Sequence, residues 1–126
     1  MTILVDTDIL IEVARGRNAE ILAEWARLGS SEDLVIYSPV TAAELWAGVR
    51  TPEEPLLSSL LASLLCIAID ANIGRRAGDY LRLFAKSHAL ELGDALIAAT
   101  AALQGAALWT RTRKHYPMKD LPFYSP

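Results

Sequence analysis

The sequence predicts an α/β fold in which a central parallel sheet carries helices on both faces. Three observations lead there: short apolar runs without polar alternation, helix-period stripes between them, and capping residues at the joints. The runs are Ile3-Leu4-Val5, Leu34-Val35-Ile36-Tyr37, Cys66-Ile67-Ala68-Ile69 and Ala106-Ala107-Leu108-Trp109. A strand with water on one face alternates apolar and polar residues, so an unbroken run is the pattern of a strand covered on both. Strands linked through helices run parallel, which gives three layers around a sheet of four to five strands.

Each connecting segment carries its own signal. Ile9, Leu10, Val13 and Ala14 form a stripe that ends at Arg15-Gly16, and Asn18 can cap a second helix carrying Ile21, Leu22, Trp25 and Leu28 towards Gly29. Ser38-Pro39, an N-cap followed by a first-turn proline, opens a helix through Val49. Thr51-Pro52-Glu53-Glu54-Pro55 reads as a turn, followed by a Leu-rich helix from Leu56 to about Leu65. Asp70 caps a long helix with the stripe Ile73, Ala77, Tyr80, Leu81 and Phe84. The last helix, Asp94 to about Gln104, is apolar or small almost all round, the composition of a buried element.

At 126 residues, 52% of them apolar, the chain suits one domain over residues 1–126, with no Gly-, Pro- or Ser-rich linker to divide it. A net charge of −3 argues against a general nucleic-acid coat, although Arg111-Thr112-Arg113-Lys114-His115 is locally very basic. The single cysteine, Cys66, excludes an internal disulfide. No leader pattern or apolar run of membrane-spanning length is present, which predicts a soluble cytoplasmic protein without a membrane partner.

Parallel sheets place ligands at the carboxyl ends of their strands, and three acids fall there. Asp6 stands where the first strand should stop, interrupting a segment otherwise built to be buried. A desolvated, unpaired carboxylate costs several kcal/mol, on the order of more than a buried Leu contributes. Asp8 falls in the first turn of the following helix, where exposed N–H groups favour an acid. Glu44 lies among Ala42, Ala43, Leu45, Trp46 and Ala47 in the helix leaving the second strand; the alternative is a capping box, Thr41-Ala-Ala-Glu44. Asp94 opens the last helix, with an ordinary N-cap after Gly93 as the alternative.

If Asp6, Glu44 and Asp94 converge, mutual repulsion raises their pKa values unless a cation holds them together. Oxygen donors without a His/Cys set suit Mg²⁺ or Mn²⁺ rather than zinc; His88 and His115 have no partner at ligand spacing.

The segments "LVDTDILIEVARG", "SPVTAAELWAGVR" and "ELGDALIAATAALQGAALWTRTRKHYP", in this order, resemble the PIN-domain ribonucleases, in particular the VapC toxins of bacterial and archaeal toxin–antitoxin pairs. The resemblance runs from Ile3 to Met118. It implies a PIN-like three-layer fold and a Mg²⁺- or Mn²⁺-dependent endoribonuclease that leaves 5′-phosphate products. Its acidic cluster is Asp6, Glu44 and Asp94, assisted by Thr112, with Asp8 and Thr110 supporting the water shell. The family pattern has Asn after Thr-x and a fourth acid three residues later; here those places hold Thr112 and His115, so a second permanent metal lacks its carboxylate. Arg111, Arg113, Lys114 and His115 then hold flanking RNA phosphates, with an ordinary solvated loop as the alternative. The family implies two protein partners: a cognate antitoxin whose tail enters the acidic cleft, and a second copy packed through the helix carrying Tyr80, Leu81 and Phe84, with higher toxin–antitoxin assemblies built on that homodimer. Trp25, Trp46 and the Leu56 to Leu65 ridge offer apolar surface for such contacts, or are simple core.

Two other readings use the same residues. Asp6-Thr7-Asp8 after a strand is close to the motif of haloacid-dehalogenase-like phosphatases, with Asp6 as nucleophile, but that chemistry gives Glu44 no duty. A PIN-like RNA-binding or regulatory module without catalysis would explain the missing fourth acid but not three retained ones.

Overall fold

A computed structural model describes all residues 1–126. Its elements are β1 (Thr2–Val5), α1 (Thr7–Arg15), α2 (Ala19–Gly29), β2 (Leu34–Tyr37), α3 (Pro39–Gly48), α4 (Glu54–Ala62), β3 (Leu65–Cys66), α5 (Ala71–His88), α6 (Leu92–Gln104) and β4 (Ala107–Trp109), with 3₁₀ turns at Thr51–Glu53 and Arg113–His115. The sheet is wholly parallel in the order β3-β2-β1-β4. Beyond β4 the C-terminal segment makes one further parallel bridge, Leu108 to Phe123.

The unbroken apolar runs make sense in this sheet because successive side chains enter different layers. Leu4, Ile36 and Leu108 point into a core shared with α5 and α6, whereas Ile3, Val5, Tyr37 and Trp109 enter one shared with α1, α2, α3 and α4. Leu4, Ile36 and Leu108 are fully buried, each contributing on the order of 1.5–3 kcal/mol. The predicted burial of α6 holds for its middle: Ala95, Ile97, Ala98, Ala99, Thr100 and Ala101 are buried, the alanines letting the helix lie between the sheet and α5, whereas Leu92 and Leu103 at its two ends are exposed.

The predicted caps are in place. Asn18 and Asp70 each accept a hydrogen bond from the backbone N–H three residues on, and Ser38 accepts one from Val40. Three expectations need correction. The run Cys66-Ile67-Ala68-Ile69 is not a doubly covered strand: only Leu65–Cys66 pairs with β2, at the sheet edge, and Leu65 is 49% exposed. The Leu-rich helix begins two residues earlier and ends at Ala62, because Pro55 is tolerated in a first turn that needs no N–H from it. Tyr80 is not surface for a second copy: it is buried, with its hydroxyl on Asp120 and its ring in the α5/α6 core, while Leu83 is the large exposed apolar residue of α5. Asp79 pairs with Arg75 and Arg82 on the exposed face. Cys66 is a free, exposed thiol, and no helix is long and apolar enough to cross a membrane.

Candidate active site at the carboxyl edge of the sheet

Asp6 leaves the end of β1 with its backbone N–H still in the ladder, bonded to the Trp109 carbonyl at 2.9 Å. Its residue is only 6% exposed. The carboxylate is nonetheless well supplied: Oδ1 accepts the Thr7 N–H at 2.8 Å, and Oδ2 accepts the Thr110 hydroxyl at 2.7 Å and the Tyr116 hydroxyl at 2.8 Å. Asp6 is therefore the N-cap of α1, and its burial is offset by three donors.

Asp8 takes a different role from the one expected of a helix-start acid. Its Oδ2 reaches across to the segment after β4, accepting the Thr112 hydroxyl and the Arg111 N–H, each at 3.1 Å. Thr110 lies 3.4 Å from the same oxygen. Asp8 thus fastens the Thr110–Thr112 loop to α1, and Thr112 spends its hydroxyl there. The other oxygen, Asp8 Oδ1, is shut off from solvent without a donor. Burial first, then the Asp6 charge, raises the Asp8 pKa against the opposing pull of those hydrogen bonds.

Asp94 is the third residue of α6 rather than its cap; Glu91 occupies the cap position without a side-chain hydrogen bond. Gly93 lets this turn approach α3 closely, since a Cβ there would sit 3.3 Å from Val40 Cγ1. Asp94 is half-buried, with Oδ1 3.4 Å from the Tyr116 hydroxyl and Oδ2 4.0 Å from His115 Nδ1. Desolvation raises its pKa most, followed by the Asp6 charge and, more weakly, Glu44, while His115 and Tyr116 act in the opposite direction.

Glu44 is exposed, although Thr41 and Leu45 on either side of it in α3 are buried. Its Oε1 accepts the Thr7 hydroxyl at 2.8 Å, and Thr7 also meets Thr41 Oγ1 at 3.0 Å. No capping box forms, because Ser38 is the cap of α3. Asp6 and Asp94 are therefore brought together across one hydroxyl, with Glu44 at the rim on Thr7. No three of the acids, histidines and cysteine stand close enough to hold an ion in this arrangement. Each carboxylate is met by a hydroxyl of the protein, which spaces the like charges. In kind, the donors fit a hard divalent cation: oxygen throughout, with a raised pKa at Asp94 and, beside the site, a raised pKa and an orphaned oxygen at Asp8.

The basic segment divides. Arg111 pairs with Glu12 at 3.1 Å. Arg113 donates to Ser125 at 2.8 Å and lies 5.0 Å over the Phe123 ring, so it ties down the C-terminal segment. Lys114 is exposed and has no ion pair. Tyr116 was not singled out from sequence; the available signal was a phenol, not a plain aromatic, directly after His115. A cleft of about 470 Å³ opens beside the site, lined by Ile9, Ile21, Trp109, Thr110 and Arg111 among others. The larger cavity, about 570 Å³ against Trp25, Leu28, Leu34 and Leu65, lies at the amino end of the strands, away from these acids.

Comparison with known proteins agrees with this geometry. The chain superposes on the solved structure of VapBC2 from Rickettsia felis, bound to a DNA fragment from their promoter, with a TM-score of 0.83 at 20% identity over 98% of both chains. A toxin–antitoxin complex from Klebsiella pneumoniae gives a TM-score of 0.74 at 26% identity, covering 94% of this chain and 93% of that one. In sequence, the chain is 41% identical to Ribonuclease VapC10 of Mycobacterium tuberculosis over 117 residues, 92% of this chain and 86% of the relative. Residues 3–118 match the family model described as PIN domain. A match of that extent displaces the phosphatase alternative, and with the parallel order β3-β2-β1-β4 and the strand-end carboxylate it leads to one assignment: the chain belongs to the PIN-domain family.

Proposed function

We propose that this chain, a single domain over residues 1–126, is the ribonuclease toxin of a toxin–antitoxin pair: a Mg²⁺- or Mn²⁺-dependent endoribonuclease that acts in the cytoplasm and is inhibited by a cognate antitoxin. The observation that carries this reading is the buried strand-end carboxylate of Asp6 facing Asp94 across one hydroxyl, in a chain 41% identical to a ribonuclease. A homodimer and higher toxin–antitoxin assemblies belong to the same reading, with exposed Leu83, Trp46 and Leu56 as apolar surface for them.

In this reading Asp6, Asp94 and Glu44 hold the cation, and Thr110 and Thr112 hold Asp6 and Asp8 in place. When bound, a divalent ion supplies Lewis acidity, lowering the pKa of a water and offsetting phosphate charge. Glu44, at the solvent rim, would either help to hold the ion or take up a proton from water. Asp8 keeps the Thr110–Thr112 loop against α1, so the RNA meets a fixed edge. Lys114, with Arg111 and His115 beside it, offsets the repulsion between an acidic site and a polyanion.

Cleavage of a structured RNA pool by purified protein, with and without Mg²⁺, tests the assignment. The wild type is expected to cut only with metal, and Asp6→Asn and Asp94→Asn to lose at least about tenfold. Equal cutting by wild type and variants would sink it, and binding of RNA without metal-dependent cutting would favour the non-catalytic module.

A further inference from the structure

Tyr116 is a buried phenol set between two carboxylates. It is 3% exposed, with its hydroxyl 2.8 Å from Asp6 Oδ2 and 3.4 Å from Asp94 Oδ1. Its ring belongs to the core layer of Met118, Leu121 and Leu108, where a phenylalanine would serve equally for packing. The hydroxyl therefore answers to the acids.

A phenol has one proton to donate, and the distances give it to Asp6, leaving a weak, longer approach to Asp94. Thr110 donates to the same Asp6 oxygen, so both lone pairs of Oδ2 are engaged and the carboxylate plane is set from two directions. Oδ1, with the single Thr7 N–H, keeps a lone pair free. Asp94 Oδ2 has only His115 Nδ1 near it, at 4.0 Å. The two acids thus arrive with defined oxygens uncommitted.

We propose that Tyr116 is a positioning residue: its hydroxyl donates to Asp6, fixing which oxygen that carboxylate leaves uncommitted, and, lying between Asp6 and Asp94, sets the spacing at which the two acids would meet a divalent cation. The proposal rests on the metal-dependent reading above. It extends that reading to a residue that touches neither cation nor RNA and acts through the two acids. Groups that orient ligating carboxylates in this way typically change metal affinity by about 10–100-fold when removed.

The test is Mn²⁺ binding by calorimetry to the wild type, to Tyr116→Phe and to protein with 3-fluorotyrosine at position 116, alongside metal-free melting temperatures. Tyr116→Phe is expected to bind Mn²⁺ about tenfold or more weakly, to melt somewhat lower without metal because a buried hydrogen bond to a carboxylate is lost, and to recover RNA cleavage as Mn²⁺ is raised. The fluorotyrosine protein keeps ring and donor and should retain wild-type affinity. Equal or tighter binding by Tyr116→Phe overturns the proposal. So does failure of that variant to fold, which would give the hydroxyl a purely structural duty. A wild type that takes up no Mn²⁺ overturns the metal reading itself, and this proposal with it; normal wild-type uptake matched by Tyr116→Phe overturns this proposal alone.

Discussion

Asp6 and Glu44 stand at the same edge of the sheet, yet one is enclosed by the fold and the other meets water. Asp6 ends a central strand, caps a helix and accepts two buried hydroxyls, so its charge is part of how β1, α1 and the tail segment are joined. Glu44 lies on an exposed turn of α3 with one hydroxyl partner, Thr7. The chemistry proposed for the two is related, but only the interior acid is also structural. Loss of function and loss of fold should therefore separate at the rim and coincide inside.

The largest effect is expected at Asp6→Ala. Removing the cap costs about 1 kcal/mol, and leaving the Thr110 and Tyr116 hydroxyls with only their longer approaches to Asp8 and Asp94 adds about 1–2 kcal/mol for each. Relief of the repulsion with Asp8 and Asp94 returns part of this. A net loss on the order of 2–4 kcal/mol should show in urea denaturation, together with loss of RNA cleavage. An Asp6→Ala protein as stable as the wild type would break the contrast at its interior end.

Next in size is Glu44→Gln, which should lower cleavage about tenfold or more while unfolding free energy stays within roughly 0.5 kcal/mol, the range of exposed substitutions away from buried networks. The amide still accepts the Thr7 hydroxyl, so a stability change above that range would show the rim to be as structural as the interior.

Asp94 lies between the two cases, and its response to pH sharpens the comparison. Burial, then Asp6 and more weakly Glu44, raise its pKa above the ordinary 3.8. The folded state then binds this proton more tightly than the unfolded state. Stability contributed by the group is greatest below 3.8 and falls as pH rises through the raised folded value, above which the full penalty remains. Without metal, Asp94→Asn should therefore melt above the wild type at neutral pH, and the gap should close as pH falls towards about 4. Glu24, Asp33 and Asp79, whose pKa values are lowered by ion pairs, give the opposite slope but are common to both proteins. Excess Mn²⁺ should reverse the order, since only the wild type gains binding energy, about 2.7 kcal/mol at a hundredfold excess over Kd. A gap independent of pH would remove burial of charge as its cause.

What could be read from the sequence follows the range of the interactions. The caps Asn18, Ser38 and Asp70 bond backbone N–H groups two or three residues away, so local pattern sufficed. The unbroken runs identified β1, β2 and β4 correctly, but Cys66 to Ile69 shows that an apolar run does not reveal whether a strand has neighbours on both sides. Asp6 and Asp8 stand where expected, at the strand end and in the first turn of α1, but the partners of Asp8, Thr112 and Arg111, lie more than a hundred positions on and could not be read locally. Tyr116 is harder still: its meaning depends on two acids that only the fold places beside it, although the presence of Asp6 and Asp94 at this edge was readable.

The smallest effects repeat the contrast within the basic segment. Arg113 is committed to its own chain, through Ser125, the Tyr124 carbonyl and the Phe123 ring, whereas Lys114 is exposed with no ion pair. Arg113→Ala should cost about 1 kcal/mol, since a cation–π pair at an exposed site is worth roughly 0.5–1 kcal/mol and the hydrogen bonds to Ser125 and Tyr124 add to it. Its effect on RNA should come through loosening of the C-terminal segment. Lys114→Ala should leave unfolding unchanged and weaken RNA binding, reducing the slope of log affinity against log salt by about 0.7, the release of one counterion from a single strand. Salt titrations of both variants separate a phosphate contact from a structural anchor. A salt slope that falls for Arg113→Ala and stays constant for Lys114→Ala would reverse the assignment of the two residues.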